Sequence, residues 1–551
     1  MAIISTLLSS MHSASPLSPS STLGSLVALL TTWILYKTYI YPNFLSPLRH
    51  APGPPDPKRF MPLMGHMIEI LKEEAGAPHL RWIEQYGGLV RYKGFLNRER
   101  VLLADAAAVQ HVFLSHSYDY VKDERVARFL GPVLGKGILL AEGDVHRKQR
   151  KMLNPAFGHR HVKEMVPLMA GPAAKLAKMW CERVQEAGAD GLEFIVDEDM
   201  SRVTLDIIGL AGFGYSFDSL TNPDNELSRA YKALFNSSSM ITQILSSFIS
   251  FYNHIPIRRN RIRKHAIRVI NKVSTELIED KRRRIEKEIE SGIEADESDP
   301  SHKDLMSILI RGNEMVGSLE GGKLTDQELK DQIMTFLAAG HETTSVLVTW
   351  SLHLLSVNPE IQARVRQELL DHLGPLQAET YDSPRVNYDS LSSLPLLTAF
   401  VKEVLRFIPP VPTTSRVSTK DDNLMGYFIP KGTQVFMSPA ALHRLKTVWG
   451  PDAGDFKPER WMDAEAAKAA HTTMVTPEMS WAYQPFLSGP RNCIGSKFAL
   501  IESKVLLYHL LVGLEFQPSP GFTFKKSARV TWRPVPGMKL RVKPFVPATT
   551  T

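Results

Sequence analysis

From Leu23 to Tyr41 the chain is apolar and aromatic, broken only by small polar residues and by Lys37 near the end. As a helix rising about 1.5 Å per residue, this stretch matches the hydrocarbon thickness of a bilayer and is expected to cross it once. The body that follows reads mostly as helix. Thr325-Asp-Gln-Glu328 has the form of a capping box opening an apolar-periodic run to about Leu355, and Asn358-Pro359-Glu360 starts the next helix. Leu394 to Phe407 predicts another, stopped by Pro409 and Pro410, and Ser496 to Leu511 a further one. Strand-like pieces are short and scattered, as at Leu89–Lys93, Val101–Ala104 and Gln434–Ser438. The pattern predicts a mainly α fold with small β-sheets. The charged stretch Lys281 to Lys303 is expected to be an exposed, mobile connection.

The ends of the apolar run orient it. No Asp, Glu, Lys or Arg precedes Lys37, whereas Arg49, Lys58 and Arg59 follow, so the positive-inside bias places a short amino terminus (1–22) in the lumen and the body in the cytosol. No basic region precedes the run, as a cleaved signal peptide requires, and no Arg precedes Arg49, as a mitochondrial transit peptide requires. Residues 42–60, with Pro47-Leu-Arg-His-Ala-Pro-Gly-Pro-Pro-Asp-Pro57, read as a stiff extended connector, leaving 61–551 as one large domain.

Composition adds little. With 43% hydrophobic and 22% charged residues among 551, the chain can bury a large core, and it shows neither a repeat period nor a Gly/Ser linker within the body. The net charge of +7 and the run Arg258, Arg259, Arg261, Arg263 and Lys264 fit an acidic partner, an anionic membrane, nucleic acid or a solvated helix face. Only Cys181 and Cys493 occur, which excludes a disulfide framework and an all-cysteine metal cage.

Cys493 has a special setting. Phe486-Leu-Ser-Gly-Pro-Arg-Asn-Cys-Ile-Gly495 is a Gly- and Pro-rich loop leading into a helix, where unpaired backbone N–H groups and nearby Arg491 favour a thiolate. A lone cysteine is more often a small buried hydrophobe. The pattern F-x-x-G-x-R-x-C-x-G points instead to a ligand, because it resembles the haem-thiolate loop of the cytochrome P450 family. Ala339-Gly-His-Glu-Thr-Thr344, Glu403-Val-Leu-Arg406 and Phe456-Lys-Pro-Glu-Arg460-Trp resemble that family's other motifs, in the same order along essentially the whole chain.

The resemblance implies a single haem domain behind an endoplasmic-reticulum anchor, with haem b held by Cys493 as axial ligand, whose electron donation favours O–O bond cleavage. It implies that Thr343 and Glu342 relay protons to the oxygen being reduced. Ala339 and Gly340 would border the haem, with Gly340 removing bulk where a ligand approaches. Phe486 would pack at the cysteine loop, and Arg150, Arg416 and Arg491 would meet the propionates. Where the family commonly has W-x-x-x-R this chain has His146-Arg-Lys-Gln-Arg150, so His146 replaces the Trp as a propionate donor. Glu403, Arg406 and Arg460 would form a buried charge network under the loop. Substrate would lie against Tyr118–Ile138, Phe336–Ala339 and Val411–Arg416.

The implied reaction inserts one atom of O2 into an apolar small molecule, the expected setting being terpenoid or other secondary metabolism. Electrons would come from a separate NADPH-cytochrome reductase, since no nucleotide fingerprint is present; membrane lipid, but no nucleic acid, completes the partners. The style of Arg150 to Phe157 resembles fungal microsomal members. Two other readings remain: an isomerase or dehydratase of the same fold that does not use O2, against which Glu342 and Thr343 both argue, and a non-catalytic haem-binding protein.

Overall fold

The computed structural model describes residues 19–56, 63–188, 190–222, 225–236, 252, 255–290, 304–315, 324–377, 379–381, 383–462, 481–528 and 530–545. It is mainly helical with small sheets, as the pattern predicts. The helix Asp326–Val357 runs through the main apolar core. Its first turn is closed by the expected capping box: the Thr325 hydroxyl accepts from Glu328 N–H at 3.2 Å, and the Glu328 carboxylate accepts from Thr325 N–H at 2.8 Å. Such caps contribute about 1 kcal/mol each. Packed against this central helix are Val196–Phe213 on one flank and Ser496–Leu511 on another.

A five-stranded sheet, in the order Leu89–Lys93, Glu99–Leu103, Gln434–Met437, Thr414–Ser418 and Tyr120–Val121, sits beside the core with its own apolar cluster. A carboxyl-terminal hairpin pairs Lys525–Ala528 with Trp532–Val535. Trp532 is fully buried and pins the hairpin: its N–H donates to Pro410 O at 2.9 Å, and its carbonyl accepts from the Trp350 indole at 2.7 Å. Hence the last strands are fixed to the central helix.

The apolar amino-terminal helix begins as α-helix at Pro19 and widens to a π-helix over Tyr36–Leu45, around Pro42. Its membrane-length part is Leu23–Leu45, four residues longer than the apolar pattern suggests, with its side chains outside the protein core until the last turns, where Pro42 is buried. The final turns touch the body. Asn97 Nδ2 donates to Thr38 O at 3.0 Å, Arg91 to Pro42 O at 2.5 Å, and Lys93 Nζ to the Asn43 side chain. The connector is not all extended either: Pro47–His50 forms a 3₁₀ turn, Leu48 is buried, and Pro52 O accepts from Arg91 N–H at 2.7 Å.

One expectation is corrected. The helix Arg258–Glu290 carries straight through the first ten residues of the stretch expected to be mobile, and Lys281 is buried in an ion pair with Asp304 at 2.6 Å. Charge density misleads here because a helix can turn one charged residue inward when a buried carboxylate meets it. The remainder, 291–303, lies outside the described residues.

Candidate active site

Cys493 stands in a closed loop. Its N–H donates to Phe486 O at 2.8 Å, and between them Leu487 (φ 60°) and Gly489 (φ 75°) take left-handed conformations that turn the chain. A Cβ on Gly489 would lie 2.1 Å from Phe113 O, so this position admits glycine alone. The sulfur is reached by the Gly495 N–H at the start of the helix Ser496–Leu511. Burial pushes the thiol pKa up, opposed by that N–H and by the positive charge of Arg150. The cation acting on the sulfur is therefore Arg150, not the expected Arg491, because Arg491 is turned to Glu142 and to Ala141 O. Cys493 keeps exposed surface, although the protein around it desolvates the thiol.

A buried polar frame carries the loop. Glu403 and Arg406, both without exposed side-chain area, pair at 2.7 Å, and Arg460 Nε lies 3.4 Å from Glu403. Lys457 N–H and the Trp461 indole give Glu403 two more hydrogen bonds, while Arg406 also donates to the carbonyls of His443, Ala453 and Asp455. His443 transmits this frame to the loop: Nδ1 bonds Arg406 O at 3.0 Å, and Nε2 accepts from Gln484 N–H at 2.9 Å, two residues before Phe486. Since Nε2 accepts, the ring is neutral with its proton on Nδ1.

The central helix faces the loop across Phe157. The Phe157 ring packs on Phe336 at 5.3 Å and lies 3.9 Å from where a Gly495 Cβ would stand. Between Asp331 and Leu352 every residue is buried except Ala339, Gly340 and Thr343, which share one face and are half-buried. The Thr343 hydroxyl donates to Ala339 O at 2.8 Å within an unbroken helix. Gly340 carries a constraint beyond the one the resemblance implies. A Cβ there would come within 3.1 Å of Ile208, so its lack of a side chain lets the helix Val196–Phe213 approach the central helix. Glu342 points elsewhere than Thr343: its carboxylate accepts from Thr531 Oγ1 at 2.6 Å and pairs with Arg533. Sequence reading misses both partners, which lie 189 and 191 positions downstream.

Beside the loop is a surplus of buried positive charge. Arg416 is buried and donates to Thr414 Oγ1 (3.1 Å) and Ser415 O (2.9 Å), with its pKa pushed down to about 10 by burial and by Arg491. Lys122, also missed, is held well below its ordinary value by burial and by Arg416 and Arg491. His146 is pushed down to about 4 by burial and by Arg491, Lys122 and Arg150, and its Nδ1 meets Tyr118 OH at 3.1 Å. Among the described residues Glu142 is the one carboxylate bonded into this group, and Arg491 Nε is buried with no hydrogen-bond partner. Three cations around one carboxylate leave room for added negative charge. The two propionates of a haem would supply it and Cys493 would offer a soft thiolate ligand, so the donor set fits haem. Arg150 is committed differently from the other arginines: it gives both terminal nitrogens to Asn492 and Nε to Asn154.

A haem-thiolate loop facing a central helix, with this charge frame beneath it, defines the class. The sequence profile of the cytochrome P450 family matches residues 54–539. The chain is similar to cytochrome P450 monooxygenase 205 of Postia placenta, with 35% identity over 88% of this chain and 89% of that protein. Cytochrome P450 monooxygenase sphH of Aspergillus fumigatus is 33% identical over 94% of this chain and 92% of its own length. Cytochrome P450 monooxygenase FUM15 of Gibberella moniliformis is 32% identical over 93% and 91%. The chain belongs to the cytochrome P450 family and is an oxygen-incorporating oxidoreductase of the haem-thiolate kind.

Proposed function

We propose that this enzyme hydroxylates or otherwise oxidises an apolar small molecule, in terpenoid or other secondary metabolism, with electrons from an NADPH-cytochrome reductase. The observation that supports it most is that Phe157 bridges the cysteine loop, near Gly495, and the central helix at Phe336, one turn before the half-buried residues Ala339, Gly340 and Thr343. Bound haem supplies oxygen activation. The protein supplies the rest: Cys493 ligates, Phe486 closes the loop, and Arg416, Arg491, Lys122 and His146 hold the propionates. Arg150 fixes the loop through Asn492. Thr343 would offer a hydroxyl proton to the oxygen being reduced, and Glu342 would replace it once its carboxylate has itself taken up a proton from solvent.

Residues 1–22 would be lumenal and the apolar helix would anchor the chain in the endoplasmic reticulum membrane, with the catalytic domain cytosolic. Exposed Lys151, Arg160 and Lys497, near the cysteine-loop helix, suit an acidic reductase face. The test is reconstitution with a reductase and a panel of apolar substrates, measuring NADPH use, O2 uptake, peroxide and product. Product should carry one oxygen from O2, and Thr343→Ala should lower product per NADPH while raising peroxide. Turnover without O2 would overturn the reading.

A further inference from the structure

The turn 134–138 lies against the first half of the central helix and is tied to it at both ends. The Thr335 hydroxyl donates to Leu134 O at 2.7 Å, and Gln332 Oε1 accepts from Ile138 N–H at 2.9 Å. Two glycines between these ties let the turn come so close. A Cβ on Gly135, whose φ is 67°, would stand 2.6 Å from Asp331 Oδ1. One on Gly137 would stand 2.6 Å from Asp331 O and nearer still to Thr335 Oγ1. No side chain fits in either place, so turn and helix keep one fixed spacing.

That spacing fixes the Gln332 amide, which is fully buried. A backbone N–H needs an acceptor, so only the amide oxygen can face Ile138, and the group cannot be turned round. Its NH2 branch is left without a hydrogen-bond partner. Buried N–H donors with no acceptor are unfavourable, and native proteins seldom keep them unless a water or a ligand fills the place. Gln332, Thr335, Ala339 and Thr343 follow one another at steps of three or four and so form one stripe along the helix. The far half of the stripe is the half-buried face of Ala339 and Thr343, and its near half lies under the turn. Thr335 commits its hydroxyl to Leu134 O and Thr343 commits its own to Ala339 O, which leaves the Gln332 amide as the donor of the stripe with nothing to give to.

We infer that Gln332 Nε2 donates to an oxygen atom of the substrate, which is then an apolar molecule already carrying a carbonyl, ether or hydroxyl group. Gln332 and Ala339 are seven residues apart, about 10 Å along the helix, so this oxygen sits at the end of the molecule remote from the carbon that is oxidised. The reaction that supplies such a substrate is one that has already placed oxygen on the carbon skeleton. The inference deepens the monooxygenase reading and rests on it for where the substrate lies.

The experiment titrates the full-length holoenzyme and the variants Gln332→Met and Thr335→Val with bicyclohexyl and with cyclohexylcyclohexanone, the same skeleton bearing a terminal carbonyl, and reads binding from the haem absorbance. Gln332→Met removes the donor at nearly constant volume and should raise the ketone-to-hydrocarbon ratio of dissociation constants about tenfold over wild type. Thr335→Val loosens the turn but keeps the amide, so both constants should shift together and their ratio should hold. A ratio unchanged in Gln332→Met overturns the proposal, the amide then holding only an ordered water. A ratio raised as much by Thr335→Val also overturns it, because the turn and not the amide would then discriminate. Should Gln332→Met fail to fold, a structure of the wild type with cyclohexylcyclohexanone decides: the ketone oxygen should lie within hydrogen-bond distance of Gln332 Nε2, and a ketone bound elsewhere or not at all overturns the assignment. Absence of the thiolate spectrum in the wild type would instead refute the monooxygenase reading, with that structure still deciding the donor.

Discussion

Arg150 donates to Asn492 twice, to the carbonyl at 2.6 Å and to Oδ1 at 2.7 Å, so the residue preceding Cys493 is held by a side chain 342 positions away in sequence. Charge-assisted bonds of this kind contribute about 1.5–3 kcal/mol each, and a lysine cannot reproduce the fork. Arg150→Leu should therefore purify with less haem per protein than wild type, and Arg150→Lys should fall between them. The haem-to-protein ratio after gel filtration checks this; equal ratios in all three would exclude the tie as a support of the loop.

Glu403 and Arg406 form an ion pair with no solvent contact. Removing one member leaves a buried charge without its partner, which costs about 3–5 kcal/mol. Glu403→Gln is expected to lower the denaturant midpoint by that equivalent and to accumulate haem-free protein. Arg460, which reaches the same carboxylate at 3.4 Å, should give a smaller loss on substitution by methionine.

His443 makes stability depend on acid. Burial pushes its pKa down to about 3, against an ordinary value of 6.5, and its Nε2 must stay unprotonated to accept from Gln484. Below about pH 6.5 the unfolded ring takes a proton that the folded ring refuses, so this contribution is whole above that pH and is lost as pH falls toward 3, by up to about 1.4 kcal/mol per unit. Unfolding free energy measured between pH 7 and 5 should fall less steeply in His443→Gln. His79 and His341, each pushed down to about 4, keep a residual slope. An unchanged slope would mean that His443 is not held neutral.

Deleting residues 1–35 should release the protein from membranes with little effect on melting, since the contacts with the body begin at Thr38. Deleting 1–46 should lower the melting temperature as well, because Arg91, Lys93 and Asn97 then lose Pro42, Asn43 and Thr38 as partners. Equal melting of the two truncations would show that the end of the helix does not brace the domain.

What is legible in the sequence is local. The capping box at Thr325 and the pair Glu403–Arg406 are encoded at a spacing of three, and the cysteine loop within ten residues, so pattern and chemistry suffice to place them. What stays hidden is pairing across the chain. Nothing near Glu342 announces Arg533, nothing near Arg491 announces Glu142, and Lys122 looks like any solvated lysine until the fold buries it beside two arginines. The motif around Gly340 suggests a ligand's approach, but nothing in it announces that Ile208, on another helix, packs close to that glycine as well. Lys281 misleads for the same reason, its carboxylate partner lying 23 residues on.

The assignment of function turns on Cys493 as the iron ligand. The most direct measurement is the ferrous carbon-monoxide spectrum of the purified holoenzyme and of Cys493→His, a substitution that keeps a ligand while removing the thiolate. Wild type should show the thiolate-ligated band, and the variant should retain haem with an imidazole-type band instead. A wild type without the thiolate band, or a variant that keeps it, would contradict the assignment of Cys493.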